Sequence, residues 1–207
     1  AAQNGKASLE YLDAALGLLK NNKIDCLVTC PVSKAAVNLA GFKFSGHTEY
    51  LAEKSGSKKF AMMLLNDKLK FFLVTRHIPL QSVTAQINGR VIRETVYLAY
   101  ESLKRLFLIK DPRIVICGLN PHASDNGLLG SQENRTIKPE IMSLKKKFSN
   151  IDGPIAADAA IFAAYKGKYD CVIAMYHDQA LIPLKITGAP TGVNLTVGLD
   201  FIRTSPL

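Results

Sequence analysis

"YDCVIAMYHDQALIPLK", residues 169–185, is the stretch on which the reading of this chain turns. Cys171 to Met175 form an unbroken apolar run, as a strand buried on both faces requires. The run passes into Tyr176, His177, Asp178 and Gln179 with no spacer between core and polar groups. A polar turn explains that ending, and so does the rim of an active site. Lys185 follows "LIPL" as a cation that either snorkels from a surface strand or grips an anion.

The same rhythm repeats on either side. "KIDCLVTCPV" reads as a strand and "SKAAVNLAG" as a short helix; "FAMMLLN" and "LKFFLVTRH" are two further strand-like runs. Helical spacing extends through "SVTAQINGRVIRETVYLAYESLKRLF", then "PRIVICGLNPH" is a strand, and "IKPEIMSLKKKFS" and "AADAAIFAAYKG" are helices. The amino-terminal stretch is an amphipathic helix with Leu9, Leu12, Ala15, Leu16 and Leu19 on one face. Continuous apolar runs alternating with helices predict an α/β fold with buried, largely parallel strands.

Composition narrows the function classes. The chain has 207 residues, 48% hydrophobic and 21% charged, an ordinary soluble balance. No apolar stretch reaches the roughly 20 residues of a membrane span, and the start has no signal-peptide pattern. The four cysteines form no C-x-x-C pair; buried free thiols in a reducing compartment are expected, which favours the cytoplasm. The net charge of +9 is spread over "GSKKF", "LKRLFLIK" and "SLKKKFS". No arginine-rich arm or aromatic-interleaved basic motif accompanies it, so a small anionic substrate is expected and nucleic acid is not.

Three of the four histidines end predicted strands: His77 in "LKFFLVTRH", His122 in "PRIVICGLNPH" and His177 in "YDCVIAMYH". Ligands of open α/β sheets bind outside the carboxyl ends of the strands. Three neutral imidazoles converging there would suit a divalent metal, though each taken alone is more often a hydrogen-bonded loop residue than a ligand. His47 stands in a loop before a helix in "FSGHTEYLAE", with Thr48 placed to cap that helix and Glu49 at its positive end. Arg203, after "DFI", and Asn194, in "GVNLTVG", add a cation and a neutral donor. "GLNPHASDNGLLGSQE" looks like a phosphate-cradling loop but lacks the nucleotide-binding spacings.

"SGHTEYLAE", "TRHIPL", "CGLNPHASDNGLLGSQE", "AADAAIF", "AMYHDQALIPLK" and "GVNLTVGLDFIRTSP" resemble, in that order, the 4-hydroxythreonine-4-phosphate dehydrogenase family of pyridoxal phosphate biosynthesis. The resemblance runs from "LVTCPVSK" to the last residue. It implies a two-lobed α/β/α fold of the isocitrate and isopropylmalate dehydrogenase type, with residues 41–194 as a central lobe. Residues 1–40 and 195–207 would then be remnants of the terminal lobe, the chain being a fragment that lacks N- and C-terminal parts and is inactive alone.

The resemblance also implies a homodimer sharing its active sites, with His77, His122 and His177 as ligands of a divalent metal (Zn, Mg or Co). His177 is expected to reach across from the partner. His47, Thr48, Lys185, Asn194 and Arg203 are the implied substrate contacts, and Asp158 and Asp178 match acidic positions at the site. The implied reaction uses NAD or NADP to oxidise the 3-hydroxyl of 4-phosphohydroxy-L-threonine. Decarboxylation to 3-amino-2-oxopropyl phosphate follows, with His47 or Lys185 relaying the proton. A paralogous enzyme acting on threonate or erythronate phosphate is the alternative, and a basic nucleic-acid-binding module a remote one. This chain departs from the family pattern at Ser124 and Ala180, where glycine is usual, and at Asp125, where glutamate is usual.

Overall fold

A computed structural model describes residues 1–207. The first half of the chain forms α1 (Ala2–Lys20), β1 (Cys26–Val28), α2 (Lys34–Leu39), α3 (His47–Ser55), β2 (Ala61–Leu65), β3 (Lys70–Leu73), α4 (Leu80–Gln86) and α5 (Gly89–Leu106). The second half forms β4 (Ile114–Cys117), α6 (Lys138–Lys145), β5 (Ile151–Ile155), α7 (Ala157–Tyr165), β6 (Cys171–Ala174), α8 (His177–Gly188), β7 (Val193–Val197) and β8 (Ile202–Pro206). The fold is α/β, as the alternation of runs predicts. No helix is long and apolar enough to cross a membrane.

The chain divides into two compact units, residues 1–62 with 193–207, and residues 63–192. The family resemblance implies boundaries at 40 and 195. The first unit extends past residue 40 because α3 shares a core with α1: Leu51 and Ala52 pack with Leu16, Leu19 and Leu199. Leu9 and Leu12, on the same apolar stripe of α1, pack with Val37 of α2 and with Phe44. Strands in this unit run β1, β8, β7, with β1 and β8 parallel and β7 and β8 antiparallel. As an edge strand β1 is poorly covered, so Cys26 is exposed, and Cys30 just beyond it is exposed too. The expectation of buried thiols therefore fails for these two. It holds for Cys117 and Cys171, whose thiols burial pushes up to about 12, out of reach of thiolate chemistry.

In the second unit β3, β6, β4 and β5 lie side by side in parallel, and β2 returns antiparallel to β3. Every residue of β4 and β6 is buried, and Phe71 and Phe72 of β3 have no exposed surface. Helices α5, α7 and α8 pack on these strands. Two boundaries differ from the sequence reading. The long helical run breaks at Ile87, where the Asn88 side chain accepts the Val91 N–H and starts α5 as an N-cap. "LIPLK" is helical: α8 runs straight through Pro183, so Lys185 sits on a helix and not after a strand. A mid-helix proline costs about 3 kcal/mol. Burial of Gln179, Ala180, Leu181 and Leu184 along α8 opposes that cost.

Candidate active site

The first unit builds a site around a buried cation. Along β7 the side chains alternate, with Leu195 and Val197 buried among apolar groups and Asn194 and Thr196 on the other face. Antiparallel pairing sets Thr196 opposite Arg203 of β8, so the guanidinium shares that polar face. Arg203 is only 3% exposed. It donates to Thr196 Oγ1 at 3.1 Å and to Thr29 Oγ1 at 2.5 Å. Neither Arg203 Nε nor Asn194 Oδ1 has a hydrogen-bond partner. Burial draws the Arg203 pKa down, and the charge of Glu49 opposes that shift. A buried guanidinium hydrogen-bonded only to two hydroxyls is costly unless an anion completes it.

His47 and Thr48 belong to the same unit. His47 is the first residue of α3, its ring set edge-on to Phe44 with centroids 5.9 Å apart. Burial, then the charges of Arg203 and Lys34, lowers its pKa to about 4, so the ring is neutral at pH 7. Thr48 does not cap α3. Its hydroxyl lies 3.3 Å from that of Thr196, and Gly46 takes the cap position with no side-chain bond. The hydroxyl turns from the helix end because Thr196 supplies a buried partner. Thr29 and Thr196 escaped the sequence reading; the polar–apolar alternation of "GVNLTVG" was the signal for Thr196, and none existed for Thr29.

In the second unit the strand ends bring two histidines together. β3 and β6 stay paired to their ends, with Val74 N donating to Ala174 O and both Thr75 N and Thr75 Oγ1 to Met175 O. Two residues beyond Thr75 and Met175 come His77 and His177, with ring centroids 5.5 Å apart and planes inclined by 48°. His177 opens α8, and its Nδ1 lies 2.7 Å from Asp178 Oδ1. A carboxylate on one ring nitrogen fixes tautomer and orientation and leaves Nε2 as an electron-pair donor, the usual support of a metal-bound imidazole. The donor set therefore suits a divalent ion. Within one chain, however, no three His, Cys, Asp or Glu side chains gather closely enough to hold one. Asp158, in the first turn of α7, and Lys185 are exposed.

His122 lies in a turn of unusual backbone. His122, Ala123, Ser124, Asp125 and Asn126 all have positive φ, between 44° and 70°. Left-handed conformation costs a side-chain-bearing residue roughly 1–2 kcal/mol. Such strain persists only where the surroundings enforce it, commonly at functional sites. Ser124, at φ 70°, is fully buried and its hydroxyl has no partner.

Residues 1–207 match the family described as pyridoxal phosphate biosynthetic protein PdxA. The chain is 47% identical over 204 residues to a 4-hydroxythreonine-4-phosphate dehydrogenase of a Sulfurihydrogenibium species, covering 99% of this chain and 63% of the relative. It is 41% identical over 202 residues to the D-threonate 4-phosphate dehydrogenase of Cupriavidus necator, covering 97% and 60%. Among solved structures, the 4-hydroxythreonine-4-phosphate dehydrogenase of Klebsiella pneumoniae superimposes with a TM-score of 0.91 at 38% identity, over 99% of this chain and 61% of that one. The chain thus spans about three fifths of the length of these relatives.

Proposed function

The chain belongs to the PdxA family, and from that premise we propose that it carries the substrate- and metal-binding part of an NAD-dependent 4-hydroxythreonine-4-phosphate dehydrogenase. The observation that carries this reading is the buried Arg203, framed by Thr29 and Thr196 beside a neutral His47. Such a site is made for a phosphate or carboxylate. Its planar fork and unpaired Nε–H recognise a tetrahedral or planar oxyanion in a way a lysine does not.

In this proposal Arg203, Thr48 and Asn194 hold the anionic substrate, Asn194 orienting it by hydrogen bonds. His47 contacts the hydroxyl to be oxidised and takes its proton. A pKa of about 4 makes it a weak base in the free protein. Burial is the larger cause of that depression; an anion beside Arg203 would offset the smaller part due to the Arg203 and Lys34 charges and so raise the basicity of the imidazole. Lys185, exposed on α8, is the second candidate for proton relay and a further grip on the anion. His77, His122 and His177 would hold the divalent ion, His177 reaching across from a partner subunit of a homodimer, with Asp178 orienting its ring. The exposure of His77 and His122 supports that sharing. When bound, the metal supplies Lewis-acid stabilisation of developing oxyanion charge, and NAD (or NADP) accepts the hydride. Asp158 is a candidate proton donor or acceptor, and the cytoplasm the proposed location.

The 41% identity to a D-threonate 4-phosphate dehydrogenase supports a second reading in which the substrate is a four-carbon phosphorylated sugar acid. The departures at Ser124 and Asp125 lie in the His122 turn and fit either. NADH formation by the full-length protein, with 4-phosphohydroxy-L-threonine and with D-threonate 4-phosphate, separates the two. Turnover of the first substrate is expected. Turnover of the second alone transfers the assignment, and turnover of neither with any divalent metal overturns both.

A further inference from the structure

Between β4 and the His122 turn runs the segment Gly118–Asn120, whose three backbone N–H groups and the carbonyls of Gly118 and Asn120 are all hydrogen-bonded. Gly118 N donates to Ile155 O at 2.7 Å, and Asn120 O accepts the Ala123 N–H at 3.1 Å. The remaining bonds come from two buried side chains with no part in the chemistry proposed above. Glu133, 1% exposed, accepts the N–H groups of Leu119 and Asn120 on Oε1, at 2.8 and 2.7 Å, and the Asn120 side-chain amide on Oε2 at 2.8 Å. Gln179, 8% exposed, accepts the Met175 N–H at 2.8 Å and donates to Gly118 O at 2.9 Å.

Gln179 therefore spans two strand ends with one amide. Met175 is the residue after β6, two before His177, and Gly118 is the residue after β4, four before His122. Glu133 then fixes the next two residues of the loop. The turn beyond folds back so closely that a Cβ on Gly118 would lie 2.8 Å from Ala123 Cα. A run of left-handed residues does not hold itself; released from these bonds it would relax toward ordinary backbone. A carboxylate buried on three N–H donors is likewise a poor choice for stability alone, since an apolar group avoids its desolvation.

We propose that Glu133 and Gln179 are positioning residues, fixing the backbone from which His122 projects relative to the strand end that presents His177. The inference rests on the reading of those histidines as metal ligands. It assigns no catalytic contact to either residue; both act through the loop.

The test uses the full-length protein, freed of metal by chelation, as wild type and as Glu133→Gln, Gln179→Leu and Gln179→Glu variants. Cobalt(II) titration followed by absorbance measures affinity, and amide hydrogen exchange of the metal-free protein follows residues 118–128. Expected are a roughly 10- to 100-fold loss of cobalt affinity in Gln179→Leu and Glu133→Gln. Exchange should quicken in 118–128 and stay unchanged in α5, and excess cobalt should restore NADH formation. Gln179→Glu keeps the acceptor for Met175 N and loses the donor to Gly118 O, so it should fall between. Should Gln179→Leu fail to fold, Glu133→Gln and Gln179→Glu decide. Wild-type affinity in the variants, with or without faster exchange, overturns the inference while the metal reading stands. A wild-type protein that takes up no cobalt overturns the metal reading, and the inference with it.

Discussion

Arg203 in the first unit and His122 in the second both belong to the proposed chemistry, yet their surroundings differ in kind. Arg203 is buried and held by hydroxyls from β7 and from the loop after β1, so its geometry is complete before any ligand arrives. His122 is exposed on a strained turn, and no three potential ligands meet within one chain. The contrast teaches that an anion site can be finished by local sheet register. A multidentate metal site assembled from loops needs external supports and, in the proposal, a second subunit. Preorganisation in the first case is built into strand pairing; in the second it is borrowed from Glu133 and Gln179.

The sharpest way to break this contrast is Arg203→Met. Loss of two charge-assisted hydrogen bonds to a phosphate, each about 1.5–3 kcal/mol, should weaken binding of a phosphorylated substrate by about 100-fold or more. Because the guanidinium is buried without a hydrogen-bonded carboxylate, thermal unfolding of the variant should occur no lower than in wild type. A large fall in Tm together with unchanged KM would make Arg203 a structural residue and erase the difference between the units.

The second test weakens the metal side. Asp178→Asn keeps the shape beside His177 Nδ1 but removes the charge, and should lower divalent-metal affinity by about 10- to 100-fold in a calorimetric titration. Lys185→Ala, on the same helix, should leave that affinity unchanged. Equal losses in both would point to damage to α8 rather than to one carboxylate.

His47 supplies a pH test of the first unit. The unfolded chain takes up the imidazole proton near the ordinary 6.5, the folded protein only near 4. Between those values the unfolded state binds more protons, so His47 makes stability fall as pH drops through that window. His47→Gln should flatten the fall in Tm between pH 6.5 and 4. NMR of the ring should give a midpoint near 4 that rises on adding inorganic phosphate; a midpoint near 6.5 without phosphate sinks the account. The smallest effect sharpens the strain argument. Ser124→Gly should stabilise the protein by about 1 kcal/mol in urea unfolding, by relieving a φ of 70° and removing a buried, unpaired hydroxyl.

The wholly buried β4 and β6 were legible because parallel strands covered on both faces read as unbroken apolar runs. Histidines at the strand ends were legible for the same reason, since the runs mark where the ends fall. The helical α8 was not, because Pro183 argues locally against the helix that tertiary burial enforces. The capping role read for Thr48 gave way to a hydroxyl partner 148 residues away, which no local pattern announces.

What the chain's sequence determined by itself is the alternation of buried runs and amphipathic helices, the polar face of β7, and the chemical types standing at the strand ends. Each follows from periodicity or composition within a few residues. Only the tertiary structure decided that Arg203 is buried on Thr29, that His47 is neutral, that His77 and His177 stand together, and that Glu133 braces the His122 turn. These depend on desolvation and on partners from distant parts of the chain, and both exist only once the strands have paired.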